Sequence, residues 1–342
     1  MWSEAAPVAS AAMATFSDGD PAARAAPRRQ PVALRRSFDL GRELTADGRF
    51  VRQGSAFRRQ VTADGSSGFP AAAGRYHLYA CLACPWSQRS VIGRILKGLE
   101  GAISISFTDP YRDSLGWAFT GGEFVDPING FAYLSEAYAA TDPSFDGRYT
   151  LPVLWDTETG QIVSNESGDI LRMLNGAFDA FAEHHVDLYP PPLRAEIDSL
   201  NEEIYEHVNN GVYEAGFSRN QAAYEEACAN VFRVLDSLEE RLGRTRYLVD
   251  DQPTEADWRL FPTLVRFDTV YYLHFKCNVR RIVDYPNLWG YARDLYQLPR
   301  IAETVSMEQI KRHYYTTHDM VNPSRLIPLG PDLDFSQPHG RG

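Results

Sequence analysis

The stretch that most narrows the possible folds lies at residues 75–107. Arg75–Leu82 (RYHLYACL) alternates as a strand does. Cys84-Pro85 comes next. From Trp86 to Leu99 the apolar residues Val91, Ile92, Ile95, Leu96 and Leu99 recur at helical spacing, and Gly98 and Gly101 close the run. Ile103–Phe107 (ISISF) is β-branched and alternating again. Strand, turn, helix and strand make a βαβ unit.

Leu151–Asp156 (LPVLWD) predicts another strand, Gln161–Val163 its hairpin partner, and Glu166–Asn175 (ESGDILRMLN) a helix. Residues 108–146 read as a long insertion rich in turn residues. The order β-α-β, insertion, β-β-α is that of a thioredoxin-like α/β domain. Pro190-Pro191-Pro192 marks a boundary, and the chain beyond it is helical in period. One helix carries Leu193, Ile197, Leu200, Ile204 and Val208; a second carries Val231, Leu235, Leu238 and Leu242 and stops at Gly243. A third opens on the capping-box-like Thr254-Glu255-Ala256-Asp257 and runs through Trp258, Phe261, Val265 and Tyr272, and a shorter one begins after Pro286. The expected organisation is a disordered leader over residues 1–37 and, over 38–187, an arm of little regular structure joined to the thioredoxin-like domain. An all-α domain over 190–322 and an extended tail over 323–342 complete it.

Composition excludes several classes of function. The 342 residues carry 34 Lys+Arg against 45 Asp+Glu, a net charge of −11, so there is no general attraction to nucleic acid or an anionic membrane. No run approaches the roughly 20 apolar residues of a spanning helix, and the N-terminus lacks the cationic start of a secretory signal. The locally basic run Arg24–Arg36 is read as solvated leader rather than a targeting segment. Four cysteines, Cys81, Cys84, Cys228 and Cys277, are too few for a disulfide scaffold and fit a reduced, cytoplasmic setting. His184-His185 has no partners at metal spacing, and no glycine-rich phosphate loop is present. Neither metal, nicotinamide nor flavin is expected.

The sharpest chemical feature is Cys84-Pro85-Trp86-Ser87. Proline is favoured at the first helical position, which puts Cys84 at the helix start. There its sulfur meets unpaired backbone N–H groups and the positive end of the helix dipole. Cysteines so placed have pKa values of about 3.5–7.5 instead of about 8.5. Arg89, one turn on, adds positive charge if it points back. Ser87 replaces the second thiol of a dithiol motif, so a mixed disulfide at Cys84 needs an outside thiol to clear it, which is monothiol chemistry. Cys81 has two readings, an oxidative partner of Cys84 or a passive core residue, and the passive one is preferred. Cys228 and Cys277, among apolar helical residues, are read as core thiols.

Leu151-Pro152 precedes a strand. In this topology a cis-proline leaves the preceding backbone N–H and C=O open to an extended peptide. Glu166-Ser167 opens the next helix: the helix start and the serine hydroxyl suit a carboxylate, and Glu166 suits an ammonium. Together they match the γ-glutamyl end of glutathione.

At this point the chain resembles the Xi-class glutathione transferases, also called glutathionyl-hydroquinone reductases. The resemblance rests on SAFR at 55–58, AGRYHLYACLACPWSQR at 73–89, DPINGFAYLSEAY at 126–138, GRYTLPVLWD at 147–156, IVSNES at 162–167 and NNGVYEAGF at 209–217. LVRFDTVYYLHFKCN at 264–278 and IKRHYYTTHDMVNPSRLIPLGP at 310–331 extend it. It covers nearly all of residues 45–331. It implies a glutathione-transferase helical domain, Cys84 as nucleophile, and glutathione held by Trp117, the backbone at Leu151 before Pro152, Glu166 and Ser167, with Arg148 a further candidate. By position, Tyr213, Tyr271 and Tyr314 or Tyr315 would serve the aromatic substrate, with Tyr213 and Tyr315 as catalytic candidates. Glutathione would be co-substrate, with no tightly bound cofactor, and the family is dimeric through its helical domains. The sequence departs from the family where Cys-Pro-Trp-Ala-His-Arg becomes Cys-Pro-Trp-Ser-Gln-Arg and where Cys81 stands for a common serine.

The implied reaction is removal of glutathione from a glutathionyl-hydroquinone, with tyrosine hydroxyls helping to protonate the ring. A conjugating transferase, which needs no protein thiolate, a general thiol transferase or dehydroascorbate reductase, and a non-enzymatic scaffold are the alternatives.

Overall fold

The computed structural model describes residues 40–341, so the expected leader over 1–37 lies outside the described residues. The strand β1 (Tyr76–Ala80) is buried throughout. It pairs in parallel with β2 (Ile103–Phe107) and antiparallel with β5 (Val153–Asp156), which pairs with β6 (Gln161–Ser164). The resulting order, β2-β1-β5-β6, is that of a thioredoxin-like sheet. Alternation along β1 divides its faces. Tyr76, Leu78 and Ala80 pack with Val91, Ile95 and Leu99 under α1 (Pro85–Leu96) and with Ile170 and Leu174 of α3 (Ser167–Gly176). Tyr79 turns the other way, into a cluster with Trp155, Leu134 and Tyr138.

The expected insertion is more regular than its composition suggests. It contains a hairpin of β3 (Arg112–Asp113) and β4 (Gly116–Trp117), then the helix α2 (Leu134–Thr141). Leu134, Ala137 and Tyr138 are its buried face, and the Glu136 carboxylate accepts the N–H groups of Ala132 and Tyr133 at its start. Two helical turns are too short to register as a period.

The second half is helical: α4 (Arg194–Ile204), α5 (Gly211–Phe217), α6 (Gln221–Leu242), α7 (Glu255–Arg266), α8 (Pro286–Tyr296) and α9 (Met307–Thr317). Thr254 and Asp257 form the capping box expected at α7. Two wide turns, Tyr205–Asn209 and Phe267–Tyr271, are π-helical continuations of α4 and α7. α9 has no counterpart among the expected helices.

α1 belongs to both halves, because Ile92 and Leu96 pack into the helical core. Gly93 sits where α1 crosses α3: a Cβ there would lie 2.5 Å from Leu171 Cδ1. The tail docks on the helical half, with Phe335 buried against Trp289 and Tyr296.

Candidate functional site

Cys84 is the N-cap of α1, with extended φ −83° and ψ 120°, and Pro85 is the first helical residue. Its Sγ lies 3.7 Å from the Leu151 carbonyl oxygen, across the cis Leu151–Pro152 bond. The Leu151 N–H has no hydrogen-bond partner among the described residues. Pro152 itself is buried behind it.

Two clefts adjoin beside this thiol and share Arg52, Trp86, Arg148, Thr150 and Leu151. The first runs from Leu151 past Glu166, Ser167 and Trp86 to Ser55 of the arm. The Glu166 carboxylate caps α3 by accepting Gly168 N–H at 3.1 Å, and it accepts the Ser55 hydroxyl at 2.8 Å. Arg58 of the arm pairs with Asp169 at 2.7 Å. The arm is therefore a wall of this cleft.

The second cleft is aromatic and holds Cys84, Trp117, Tyr213 and Tyr314. Trp117 stacks on His313, ring centroids 4.8 Å apart. The Tyr213 hydroxyl is 2.6 Å from that of Tyr314, which is 2.9 Å from that of Tyr271. Burial pushes Tyr213 above its ordinary range and Tyr271 and Tyr314 well above it, so all three remain neutral O–H groups at physiological pH. Arg52, Arg112 and Arg148 line the same cavity. Burial draws Arg112 down to about 10 and also lowers Arg148, which pairs with Glu43.

Sequence reasoning and structure part company at several residues. Tyr315 is turned away from both clefts and donates to the Thr269 carbonyl at 3.0 Å, whereas its neighbour Tyr314 faces the cavity. Tyr271 sits one layer behind, touching the site through Tyr314 and Tyr213. Arg89 does not point back to Cys84. Its guanidinium lies 4.5 Å from the Trp86 ring centre and donates to Ser167 Oγ at 3.4 Å and Asn209 Oδ1 at 2.5 Å. Ser167 is thereby tied to the helical half. Arg148 lines both clefts.

Cys81 is fully buried and pushed up to about 12 by burial, and Cys228 and Cys277 are also raised by burial. All four cysteines are free thiols. Arg52, Arg112, His313 and His318 of the cavity were not singled out from sequence. His313 lies three residues after Ile310 on α9 and precedes Tyr314-Tyr315, which is the one local signal available.

Gln88 has a structural part. It donates to Thr304 Oγ1 at 3.0 Å and accepts from Arg266. Arg266, wholly buried, also donates to the Leu82 and Ala83 carbonyls at 2.8 and 3.1 Å and to that of Pro262 at 2.8 Å. The turn that presents Cys84 is thus held from α7.

A thioredoxin-like sheet joined to a helical half, with a thiol in the cleft that both halves line, defines a protein of the glutathione-transferase type. Domain profiles agree: the glutathione S-transferase N-terminal domain matches residues 83–177 and the C-terminal domain residues 221–294. The glutathionyl-hydroquinone reductase YqjG of Escherichia coli K12 is 50% identical over 303 residues, 86% of this chain and 92% of that protein. Its glutathione-bound structure matches with a TM-score of 0.82 at 49% identity, over 84% of this chain and 99% of that one. The glutathionyl-hydroquinone reductase PcpF of Sphingobium chlorophenolicum is 49% identical over 289 residues, covering 84% and 91% of the two chains. A Xi-class transferase from Natrialba magadii matches at 51% identity and a TM-score of 0.82, over 83% of this chain and 88% of that one. The chain belongs to the glutathionyl-hydroquinone reductase family, the Xi class of glutathione transferases.

Proposed function

We propose that this enzyme reduces glutathionyl-hydroquinones to free hydroquinones through a mixed disulfide at Cys84. The observation that carries the reading is Cys84 in the aromatic cleft with its Sγ 3.7 Å from the carbonyl oxygen of Leu151, a residue that borders both clefts. The glutathionyl part lies along the polar cleft. Its backbone pairs with Leu151, as an added strand does. Its γ-glutamyl carboxylate meets the start of α3 and Ser167, and its ammonium meets Glu166. Trp117 and Arg148 border its cysteinyl and glycyl end.

The ring then occupies the aromatic cavity. Cys84 thiolate attacks the glutathionyl sulfur, forming an S–S bond as the aryl C–S bond breaks. The electron pair of that bond goes to the ring carbon, which takes a proton from Tyr213, relayed through the Tyr314 hydroxyl. A second glutathione returns its thiol proton to the tyrosine pair and, as thiolate, attacks the mixed disulfide, releases glutathione disulfide and restores the Cys84 thiolate. One conjugate and one glutathione give one hydroquinone and one glutathione disulfide. Glutathione is consumed as co-substrate, and no step calls on a bound cofactor. The chain acts as a homodimer in the cytoplasm under this reading.

The test is turnover of glutathionyl-menadiol by the wild type and Cys84→Ala, with mass spectrometry of the enzyme after one conjugate equivalent. Turnover that disappears in Cys84→Ala, with glutathione bound at Cys84 in the wild type, is expected. Equal turnover by both proteins sinks the thiolate mechanism. Conjugation of a chloro-nitro-aromatic without any reductive turnover replaces it with a conjugating transferase.

A further inference from the structure

A hydroquinone ring brings two O–H donors into the aromatic cavity, and a buried donor without an acceptor is costly. Acceptors are scarce there. Among the described residues no Asp, Glu, Asn or Gln side chain lines the cavity. Its guanidinium and indole groups only donate, and the Tyr213 and Tyr314 hydroxyls meet each other at 2.6 Å. Thr150 Oγ1 already accepts from Asn165 Nδ2 at 2.9 Å.

His313 of α9 is the exception, and its hydrogen bonding fixes why. Its Nδ1 lies 2.7 Å from the Pro110 carbonyl oxygen. A carbonyl only accepts, so Nδ1 carries the proton and Nε2 of the neutral ring carries the lone pair. The Thr317 hydroxyl, 3.5 Å away, is on that same nitrogen. Nε2 has no hydrogen-bond partner among the described residues, and they do not enclose it as they enclose Nε2 of His77. Burial and the nearby Arg112 charge lower His313 to about 3, so the lone pair stays free of a proton at physiological pH. The imidazole is also held in place. It stacks on Trp117 at 4.8 Å and 20° and meets the Tyr314 ring edge-on at 5.2 Å. His318 shares the cavity, but its Nδ1 faces His274 Nε2 at 3.3 Å, a pair in which either ring can donate, so its other nitrogen has no fixed role.

We propose that His313 is a specificity-determining residue whose Nε2 accepts a hydrogen bond from a ring hydroxyl, so that the cavity selects rings with a free O–H over their methyl ethers. This rests on the reductase reading and names what the cavity recognises on the ring. The proton stays on oxygen throughout, and donation to ring carbon remains with Tyr213 and Tyr314. A purely structural role, through the bond to Pro110, is the competing account.

Two substitutions separate the accounts. Asparagine places its amide N–H where Nδ1 stands, keeping the Pro110 bond and losing the acceptor. Glutamine carries its amide oxygen out to where Nε2 stands and gives up the Pro110 bond. Quenching of tryptophan fluorescence under argon by naphthalene-1,4-diol and by 1,4-dimethoxynaphthalene reads the preference without turnover. The wild type should bind the diol about fivefold more tightly or better, the worth of one hydrogen bond. His313→Asn should bring that ratio to about one, and His313→Gln should keep most of it. A wild-type ratio near one overturns the proposal. So does a wild-type ratio retained in His313→Asn, which leaves the residue its bond to Pro110 alone. Should His313→Asn fail to fold, the wild-type ratio decides. Turnover of glutathionyl-menadiol is followed separately. Hydroxyl preference without reductive turnover strikes the reductase reading and leaves the acceptor, whereas turnover without the preference strikes the acceptor alone.

Discussion

Arg266→Met should damage the site without touching any group that meets substrate. Arg266 donates to three backbone carbonyls, Leu82, Ala83 and Pro262, and to the Gln88 side chain, all in the buried junction between α7 and the turn before α1. Methionine fills similar volume and offers no donor. A buried acceptor left without a partner costs about 1–3 kcal/mol. Three carbonyls would give several times that, but the guanidinium's own desolvation is recovered when it is removed. The net expectation is a loss of about 3–5 kcal/mol in urea-monitored unfolding. In the folded fraction the turn carrying Cys84 loses its tether, and a misplacement near 1 Å costs about a hundredfold in rate. The loss should fall on kcat, with KM for glutathione less affected, because Leu151, Glu166 and Ser167 are held by other contacts. Arg266→Lys, which retains some donors, should lie between. Stability within about 1 kcal/mol of wild type refutes the clamp. A destabilised variant whose Cys84 alkylates and turns over at wild-type rates refutes its positioning role.

Three further outcomes are expected. Tyr314→Phe removes the hydroxyl shared by Tyr213 and Tyr271 and should cost about 1–3 kcal/mol of stability and about a hundredfold in reductive kcat. A double-mutant cycle with Tyr213→Phe should show strong non-additivity, and additive losses exclude the relay. Iodoacetamide at neutral pH, with peptide mapping afterwards, should modify Cys84 well ahead of Cys81, Cys228 and Cys277, whose thiols burial pushes upward; prior labelling of Cys81 contradicts this. Burial lowers His274 from 6.5 to about 4 in the folded protein. The unfolded chain therefore takes up the proton first, so this contribution is complete above pH 6.5 and is lost as pH falls towards 4. The loss amounts to about 3 kcal/mol at about pH 4. His274→Asn should flatten that part of a pH series of urea unfolding curves, and an unchanged slope rules the residue out.

The thiol was legible because the signals that mark it are local, although the clamp that holds its turn, Arg266, comes from α7. A strand, a Cys-Pro pair and an amphipathic helix are adjacent in the chain, and helix-end chemistry does the rest. Glu166-Ser167 was legible for the same reason. The far wall of the ring cavity was not. Its helix, α9, buries Gln309, His313 and Tyr314 beside Ile310, so an aliphatic period is lacking where a packed face exists. Tyr314 and Tyr315 illustrate the remaining difficulty. Adjacent helical residues differ by about 100° in direction, and which of them meets the cavity depends on how α9 docks.

Arg112 belongs to the same class of information. Among 34 basic residues nothing local marks it, and the loop that carries it to the cavity is tied to α9 through Thr317, His313 and Arg312. Chemistry and selectivity are therefore set by different parts of the chain: the reactive atom by short-range rules, the ring's environment by contacts between residues about 200 positions apart. Substitutions in the β3–β4 hairpin, and on α9 at cavity positions other than Tyr314, should accordingly change which ring is accepted while leaving the thiol chemistry in place. Changes at residues 82–89 should act in the opposite sense.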